Sequence, residues 1–262
     1  MRLRRLRVLY NWSMIEIPDG LLFALRSSIR VVALTGAGIS QESGLRTFRD
    51  AQTGLWSQYK PEDLANPEAF QRNPKLIWDW YSMRRGRMAE VRPNPAHYAL
   101  VEMARHVPEF TLVTQNVDDL HRKAGSPEVI ELHGNLGRVK CSVEGVWIEA
   151  WEENGDVPRC PRCGAYLRPD VVWFGEQLPR EALERAVQAA RSCEVFLSIG
   201  TSGVVQPAAS LAFAAKNRGA TVVEVNPEPT PLSDKADFVL RGKAGEALPA
   251  LVEKTWRVGQ AR

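Results

Sequence analysis

Several groups of residues in this chain have the types and spacing for chemistry. Gly36 and Gly38 follow the apolar run Val31-Val32-Ala33-Leu34-Thr35. Without Cβ atoms they let the backbone turn tightly at a strand end and bring N–H groups close to a phosphate. Gln115-Asn116-Val117-Asp118 places two amides and a carboxylate directly after a second apolar run. In an open parallel sheet that is the ligand-binding edge, although the same residues would also serve as a helix cap. His133, one of four histidines, stands between Leu132 and Gly134; an imidazole titrating near neutrality suits proton transfer as well as a structural role. Tyr81 and Arg84 are three apart and share one face if helical. Cys160-Pro161-Arg162-Cys163-Gly164 has the form of a metal knuckle, whereas Cys141-Ser142-Val143-Glu144 is half of one, with a carboxylate in place of the second thiol.

The elements that must position these groups follow from apolar periodicity. Helices are predicted over 21–29, 61–70, 74–88, 95–106, 181–191, 207–217 and 245–252, and strands over 30–34, 110–114, 129–132, 195–199, 221–225 and 238–240. Strands alternating with helices imply parallel pairing with right-handed crossovers, hence an α/β fold with a doubly wound sheet. Gly200-Thr201-Ser202 and Asn226 then fall at two neighbouring strand ends, where hydroxyls and an amide can hold phosphate and ribose without adding charge. The run Val172-Trp173-Phe174-Gly175-Glu176 has the composition of a buried strand and turn. The helix-rich segment 54–92 and the cysteine-bearing segment 136–169 are insertions in a domain spanning 21–256, with a basic tail at 1–20 and a short tail at 257–262. Cys193, just before a strand, is expected as buried apolar filler.

A chain of 262 residues, 44% hydrophobic, can bury one large core. The net charge of +3 draws on Arg2, Arg4, Arg5 and Arg7, a local cluster expected to be a solvated tail. It is too small to argue for nucleic-acid or membrane binding. With no bilayer-length apolar run and no secretory leader, and with three cysteines clustered and one isolated, a soluble protein of the reducing cytoplasm is expected.

The run from Gly36 to Asp50, GAGISQESGLRTFRD, lacks the third glycine and the apolar helix of a dehydrogenase fingerprint. It resembles the opening motif of the sirtuins, the Sir2-type NAD-dependent protein lysine deacylases. Further blocks agree in order and spacing from about residue 29 to 256, and the pair Tyr81 and Arg84 resembles the desuccinylase-like branch among the bacterial and archaeal class III members. The resemblance implies a Rossmann-like sheet with a smaller lobe made of the helical insertion and a zinc-ribbon-like insertion. It implies NAD held by Gly36, Ala37, Gly38, Ile39, Phe48, Arg49, Gln115, Asn116, Asp118, Gly200, Thr201, Ser202, Asn226 and Ala244. Asn116 would lie beside the reacting ribose, Asp118 and Ile39 at the nicotinamide, and Ala244 at the adenine.

By the same resemblance His133 is the general base, and acyl-lysine peptides or proteins are the partners. They would lie along Val172, Trp173, Phe174 and Gly175, adding to exposed backbone as a strand. Arg84 and Tyr81 would hold the distal carboxylate of a succinyl or malonyl group, and Ala51 would leave room for it. The implied products are nicotinamide, O-acyl-ADP-ribose and free lysine. Zinc would be held by Cys141, Cys160 and Cys163, its fourth position open between Glu144, a water and another residue. Mono-ADP-ribosyl transfer and non-enzymatic NAD binding are the alternative functions.

Overall fold

A computed structural model describes residues 15–45, 59–152 and 154–257. Among them, β1 (Arg30–Thr35), β2 (Glu109–Thr114) and β3 (Ile130–Glu131) precede an antiparallel ribbon of β4 (Gly134–Cys141), β5 (Trp147–Ile148) and β6 (Leu167–Val171); β7 (Val195–Ile199), β8 (Thr221–Val225) and β9 (Phe238–Leu240) follow it. The ribbon pairs as β5-β4-β6, and the other six strands form one parallel sheet in the order β3-β2-β1-β7-β8-β9. The order reverses at β1 and β7, the point where a doubly wound sheet opens a crevice.

The helices are α1 (Asp19–Ser27), α2 (Pro61–Leu64), α3 (Pro67–Arg72), α4 (Pro74–Glu90), α5 (Pro95–His106), α6 (Leu120–Ala124), α7 (Arg180–Ser192), α8 (Ser210–Lys216) and α9 (Ala244–Val252). Successive residues of a strand face opposite sides of a sheet, and both sides here are apolar. Val31 and Ala33 pack with Leu25 of α1, Leu100 of α5 and Leu248 of α9, while Val32 and Leu34 pack with Ala186 of α7 and Leu211 of α8. Helices therefore cover both faces.

The small lobe has two cores joined by α4. Ile77, Trp80 and Tyr81 pack with Phe70 of α3, Leu136, Val171 and Trp173; Trp78 packs on the ribbon beside Val139, Cys141, Cys160 and Leu167. Where a single helix was expected over 61–70 there are two. Asn66 interrupts it, its side chain accepting from Ala69 N–H at 2.7 Å with Pro67 opening α3. Asn73-Pro74 and Asn94-Pro95 start α4 and α5 in the same way. Asparagine supplies the missing acceptor and proline needs no donor in the first turn. The expected helix at 207–217 begins only at Ser210, because Ser210 N–H and Oγ both bond Pro207 O and close a turn first.

Behind the carboxyl edge lies a buried polar cluster. Thr35 Oγ1 is 2.8 Å from both Thr114 Oγ1 and His121 Nε2. The His121 ring lies 4.9 Å from that of His97. Among the described residues His97 Nε2 and His121 Nδ1 have no partner. Burial pushes the pKa of His97 down to about 4 and that of His121 to about 3, the latter with help from His97. An unfolded histidine titrates near 6.5, so the unfolded state takes up protons first as the pH falls. Both rings therefore contribute full stability above about pH 6.5 and lose it progressively toward pH 4. Urea unfolding at pH 7 and pH 5 should show a loss of about 2 kcal/mol for each ring. The pH dependence should shrink when His121 is replaced by Gln.

Candidate active site

The site is built on the switch point. A Cβ placed on Gly36 would lie 2.8 Å from Gly200 O, one on Gly38 2.7 Å from Gly200 Cα, and one on Gly200 2.5 Å from Ile39 N. Gly200 also has φ +59°, in the left-handed region. The turns after β1 and β7 thus pack backbone against backbone. Gly36 N–H donates to Ile199 O at 3.0 Å and Gly38 N–H to Gly200 O at 2.9 Å. This corrects one expectation: these two N–H groups weld the strand ends together and are not free to cradle a phosphate.

The chain then runs through a 3-10 turn, Ala37–Ser43, whose polar groups meet those after β2. Ser40 Oγ donates to Asp118 Oδ2 at 2.7 Å, and Asp118 Oδ1 accepts from Leu120 N–H at 3.0 Å. Asp118 thus holds the first N–H of α6 with one oxygen and Ser40 with the other. Burial raises its pKa, against the lowering by those two donors. Asn116 Nδ2 donates to Gly36 O at 3.1 Å and Ser40 Oγ at 3.2 Å, while its N–H donates to Thr114 Oγ1 at 3.0 Å. Asn94 fastens the turn from below through Ile39 O at 2.7 Å and Ser43 Oγ at 3.0 Å.

His133 lies at the same edge with Nδ1 2.8 Å from Gln115 O. A carbonyl can only accept, so Nδ1 carries the proton and Nε2 is left as the basic nitrogen. Burial lowers the His133 pKa, with the Gln115 carbonyl pulling it back up. The His133 carbonyl accepts from Val172 N–H at 2.9 Å, tying this histidine to the next segment.

That segment is not a strand, since β6 stops at Val171. Trp173 N–H donates to Glu176 Oε2 at 2.8 Å and Phe174 N–H to Ala65 O at 2.9 Å. Val172 N–H is engaged as well and Trp173 O accepts from Glu176 N–H at 3.0 Å, so three donors and one acceptor of this run are already committed, which narrows the strand addition expected from sequence. Gly175, at φ +85°, turns the chain. Arg168 grips Glu176 through two nitrogens at 2.5 and 2.9 Å and lies 3.4 Å from the Trp173 ring centroid.

Trp173 reaches the small lobe through Nε1, which donates to Tyr81 Oη at 3.0 Å. Tyr81 is 1% exposed, and burial pushes its pKa up to about 12, so it stays a neutral phenol. Arg84 sits one turn on, its guanidinium 4.8 Å from the Trp80 ring centroid and 5.8 Å from that of Tyr81. The two groups share one face of α4, as their spacing predicts.

At the far end of the crevice, Asn226 Nδ2 donates to Thr201 O at 2.7 Å and Ser198 Oγ lies 3.0 Å from Thr201 Oγ1. Ser202 is exposed beside them. Glu42 Oε2 accepts from Gly245 N–H at 2.7 Å and ties the first turn to α9. Ile39 and Ala244, expected at the nicotinamide and the adenine, are enclosed in the core at 0% and 4% exposure, so in this structure their side chains pack rather than face the crevice. Phe48, Arg49 and Ala51 lie outside the described residues. Ser40, Asn94, Glu42 and the Arg168–Glu176 pair were not singled out from sequence. Ser40 carries a weak signal, a hydroxyl in the glycine turn; the others meet their partners only in the fold.

The sulfurs of Cys141, Cys160 and Cys163 lie within 4.8 Å of one another, with Cys141 and Cys163 at 3.5 Å. Ligand sulfurs on a tetrahedral zinc lie about 3.8 Å apart for Zn–S bonds of about 2.3 Å, so three thiolates at this spacing fit that ion. Cys193 is buried and apart from them, its Sγ bonded to Ala190 O.

Residues 36–207 match the sequence model of the Sir2 family. The NAD-dependent protein deacylase of Pyrococcus abyssi is 51% identical over 244 residues, covering 90% of this chain and 97% of that protein. That of Ralstonia nicotianae is 52% identical over 235 residues, covering 87% and 93%. Among solved structures, a Sir2 homolog–NAD complex superposes with a TM-score of 0.87 at 46% identity, covering 92% of this chain and 94% of that one. A Sir2 bound to acetylated peptide gives 0.82 at 31% identity, covering 91% and 98%. A doubly wound sheet with polar groups converging on its switch point defines a nucleotide-binding α/β protein. The chain belongs to the Sir2 family.

If His133 Nε2 is the working base, its lowered pKa keeps it deprotonated below the ordinary imidazole range. The acid limb of kcat/KM, which reports the free enzyme, should then fall below about pH 6.5. A midpoint above that value would mean that another group controls the reaction.

Proposed function

We propose that the chain is an NAD-dependent protein lysine deacylase that removes acetyl groups and, through Tyr81 and Arg84, succinyl or malonyl groups. Relatives named as NAD-dependent protein deacylases, about half identical over nearly their whole length, support the general activity. The observation that carries the site is His133 at the switch-point edge, its protonated Nδ1 held by Gln115 O and its Nε2 left basic.

Asn116, Asp118, Ser40, Thr201, Ser202 and Asn226 form a neutral-to-acidic rim suited to ribose hydroxyls and a carboxamide. When bound, NAD supplies the ribose carbon attacked by the acyl oxygen, the nicotinamide leaving group and the hydroxyl that receives the acyl group. His133 takes the proton from that hydroxyl at Nε2. Asn116, held by Gly36 O and Ser40, orients the ribose. Asp118 accepts from the carboxamide while Ser40 and Leu120 N–H keep it in place. With one water consumed, the products are nicotinamide, O-acyl-ADP-ribose and free lysine.

The acyl preference follows from α4. Arg84 brings a half-buried positive charge, and Tyr81 a hydroxyl whose oxygen already accepts from Trp173. The phenol, enclosed at 1% exposure beside Trp173, meets a carboxylate when the acyl chain enters the small lobe at that ring. A guanidinium and a phenol together recognise the free end of a succinyl or malonyl chain.

Nicotinamide release should be measured with matched acetyl-lysine and succinyl-lysine peptides. Turnover of both is expected, with Arg84→Met lowering succinyl kcat/KM relative to acetyl by about 10- to 100-fold, the worth of a charge-assisted hydrogen bond. Equal losses on both peptides would make Arg84 a scaffold residue. His133→Ala should reduce turnover by about 10²- to 10⁴-fold with NAD still bound; ADP-ribosylated protein without deacylated peptide would instead indicate ADP-ribosyl transfer.

A further inference from the structure

Strand β8 buries a charge. Val222, Val223 and Val225 are apolar, but Glu224, two residues before Asn226, is only 1% exposed. Successive residues of a strand face opposite sides, so Glu224 continues the Val222 side toward the crevice. A buried carboxylate is costly unless its oxygens are met, and here both are. Oε1 accepts from Thr230 Oγ1. Oε2 accepts from Ser233 Oγ at 2.6 Å and from Arg241 Nη1 at 3.1 Å.

Arg241 follows β9 directly, and its side chain is 37% exposed against 2% for that of Glu224. Nη1 also donates to Glu228 O at 3.0 Å and to Asn226 O at 3.4 Å, and Nη2 donates to Ser233 Oγ at 2.7 Å. Apart from Glu224, every one of these acceptors belongs to residues 226–233, the loop that leaves β8 through Asn226. A guanidinium therefore stands against the backbone of Asn226. Its charge is offset by a buried carboxylate, and both terminal nitrogens are committed to the protein.

In dinucleotide-binding α/β proteins an acidic residue suits a ribose 2′-hydroxyl, whereas an arginine nearby accommodates a 2′-phosphate. We propose that Glu224 is a specificity-determining residue, which by holding Arg241 keeps the site selective for NAD over its 2′-phosphorylated form, NADP. The inference rests on the NAD-dependent reading above, with Asn226 at the adenosine ribose. The Glu224–Arg241 pair offers a 2′-phosphate neither net charge nor a free terminal nitrogen. Glu228, exposed two residues after Asn226, adds a negative charge to the same rim.

The full chain is titrated in a calorimeter with NAD and with NADP, and circular dichroism and thermal unfolding are recorded on each preparation. The wild type should bind NAD more tightly than NADP. Glu224→Gln preserves shape but releases the guanidinium. It should raise NADP affinity relative to NAD by at least about 10-fold, the worth of one hydrogen bond to a charged group, and the gain should shrink at high salt. Adding Arg241→Gln to that variant should abolish the gain. Glu228→Arg, on the surface, leaves the buried pair intact and reports even where Glu224→Gln does not fold; its unheld guanidinium should raise NADP affinity in the same way. A folded Glu224→Gln protein with the wild-type ratio of the two affinities, or a gain that survives the loss of Arg241, overturns the proposal. No gain in Glu228→Arg would show that a 2′-phosphate does not reach this loop, and the proposal fails. A wild type that binds neither dinucleotide overturns the NAD-dependent reading itself, and this inference with it.

Discussion

The contact on which the rest of this structure depends is backbone on backbone, where Gly36 and Gly38 meet Gly200 at the ends of β1 and β7. In a doubly wound sheet the chain departs to opposite faces at this point, leaving a crevice. Here its floor is closed by two N–H groups donating to Ile199 O and Gly200 O. The geometry leaves no space for a Cβ on any of the three residues. From that floor outward, each polar group is fixed by its neighbour. Gly36 O receives Asn116, Ser40 joins Asn116 to Asp118, and Thr114 receives the Asn116 N–H.

The small lobe is joined to this edge by few but specific links. His133 Nδ1 is held by Gln115 O while its carbonyl anchors Val172, and Trp173 reaches on to Tyr81. The Arg168–Glu176 pair clamps the turn between them. Arg168 is buried and Glu176 half-buried, and removing Glu176 would leave the buried guanidinium without its carboxylate, so the turn carrying Trp173 and Phe174 is held firmly even though it is neither helix nor strand. His133 and the Tyr81 face of α4 are thereby linked through one short segment, residues 172–176.

Much of this was legible in the sequence. The strands at β7, β8 and β9 and helix α5 lie at the bounds their apolar patterns predict. β7 and β8 are buried almost throughout and α5 buries one face. The polar clusters after β1, β2, β7 and β8 fall on one sheet edge, because parallel strands put all their carboxyl ends together. Other features were not legible. A glycine next to a ligand and a glycine next to another backbone look the same in one dimension, so the commitment of the Gly36 and Gly38 N–H groups emerges only when β7 is placed beside β1. Ile39 and Ala244 border polar turns, yet they point into the core, since the tight 3-10 turn and the start of α9 rotate them inward. Arg168 and Glu176 read as ordinary charges eight residues apart until β6 and the following turn bring them together.

The central claim is that the glycine contact at the switch point makes the cofactor site. It is tested most directly by titrating Gly38→Ala with NAD in a calorimeter, with far-UV circular dichroism and thermal unfolding recorded on the same preparation. A Cβ at residue 38 would sit 2.7 Å from Gly200 Cα and force the two turns apart. The account predicts a protein that retains its sheet and helix content, melts at a lower temperature and binds NAD at least about 10-fold more weakly, a change of about 1.4 kcal/mol. A folded Gly38→Ala protein with the NAD affinity of the wild type would contradict it.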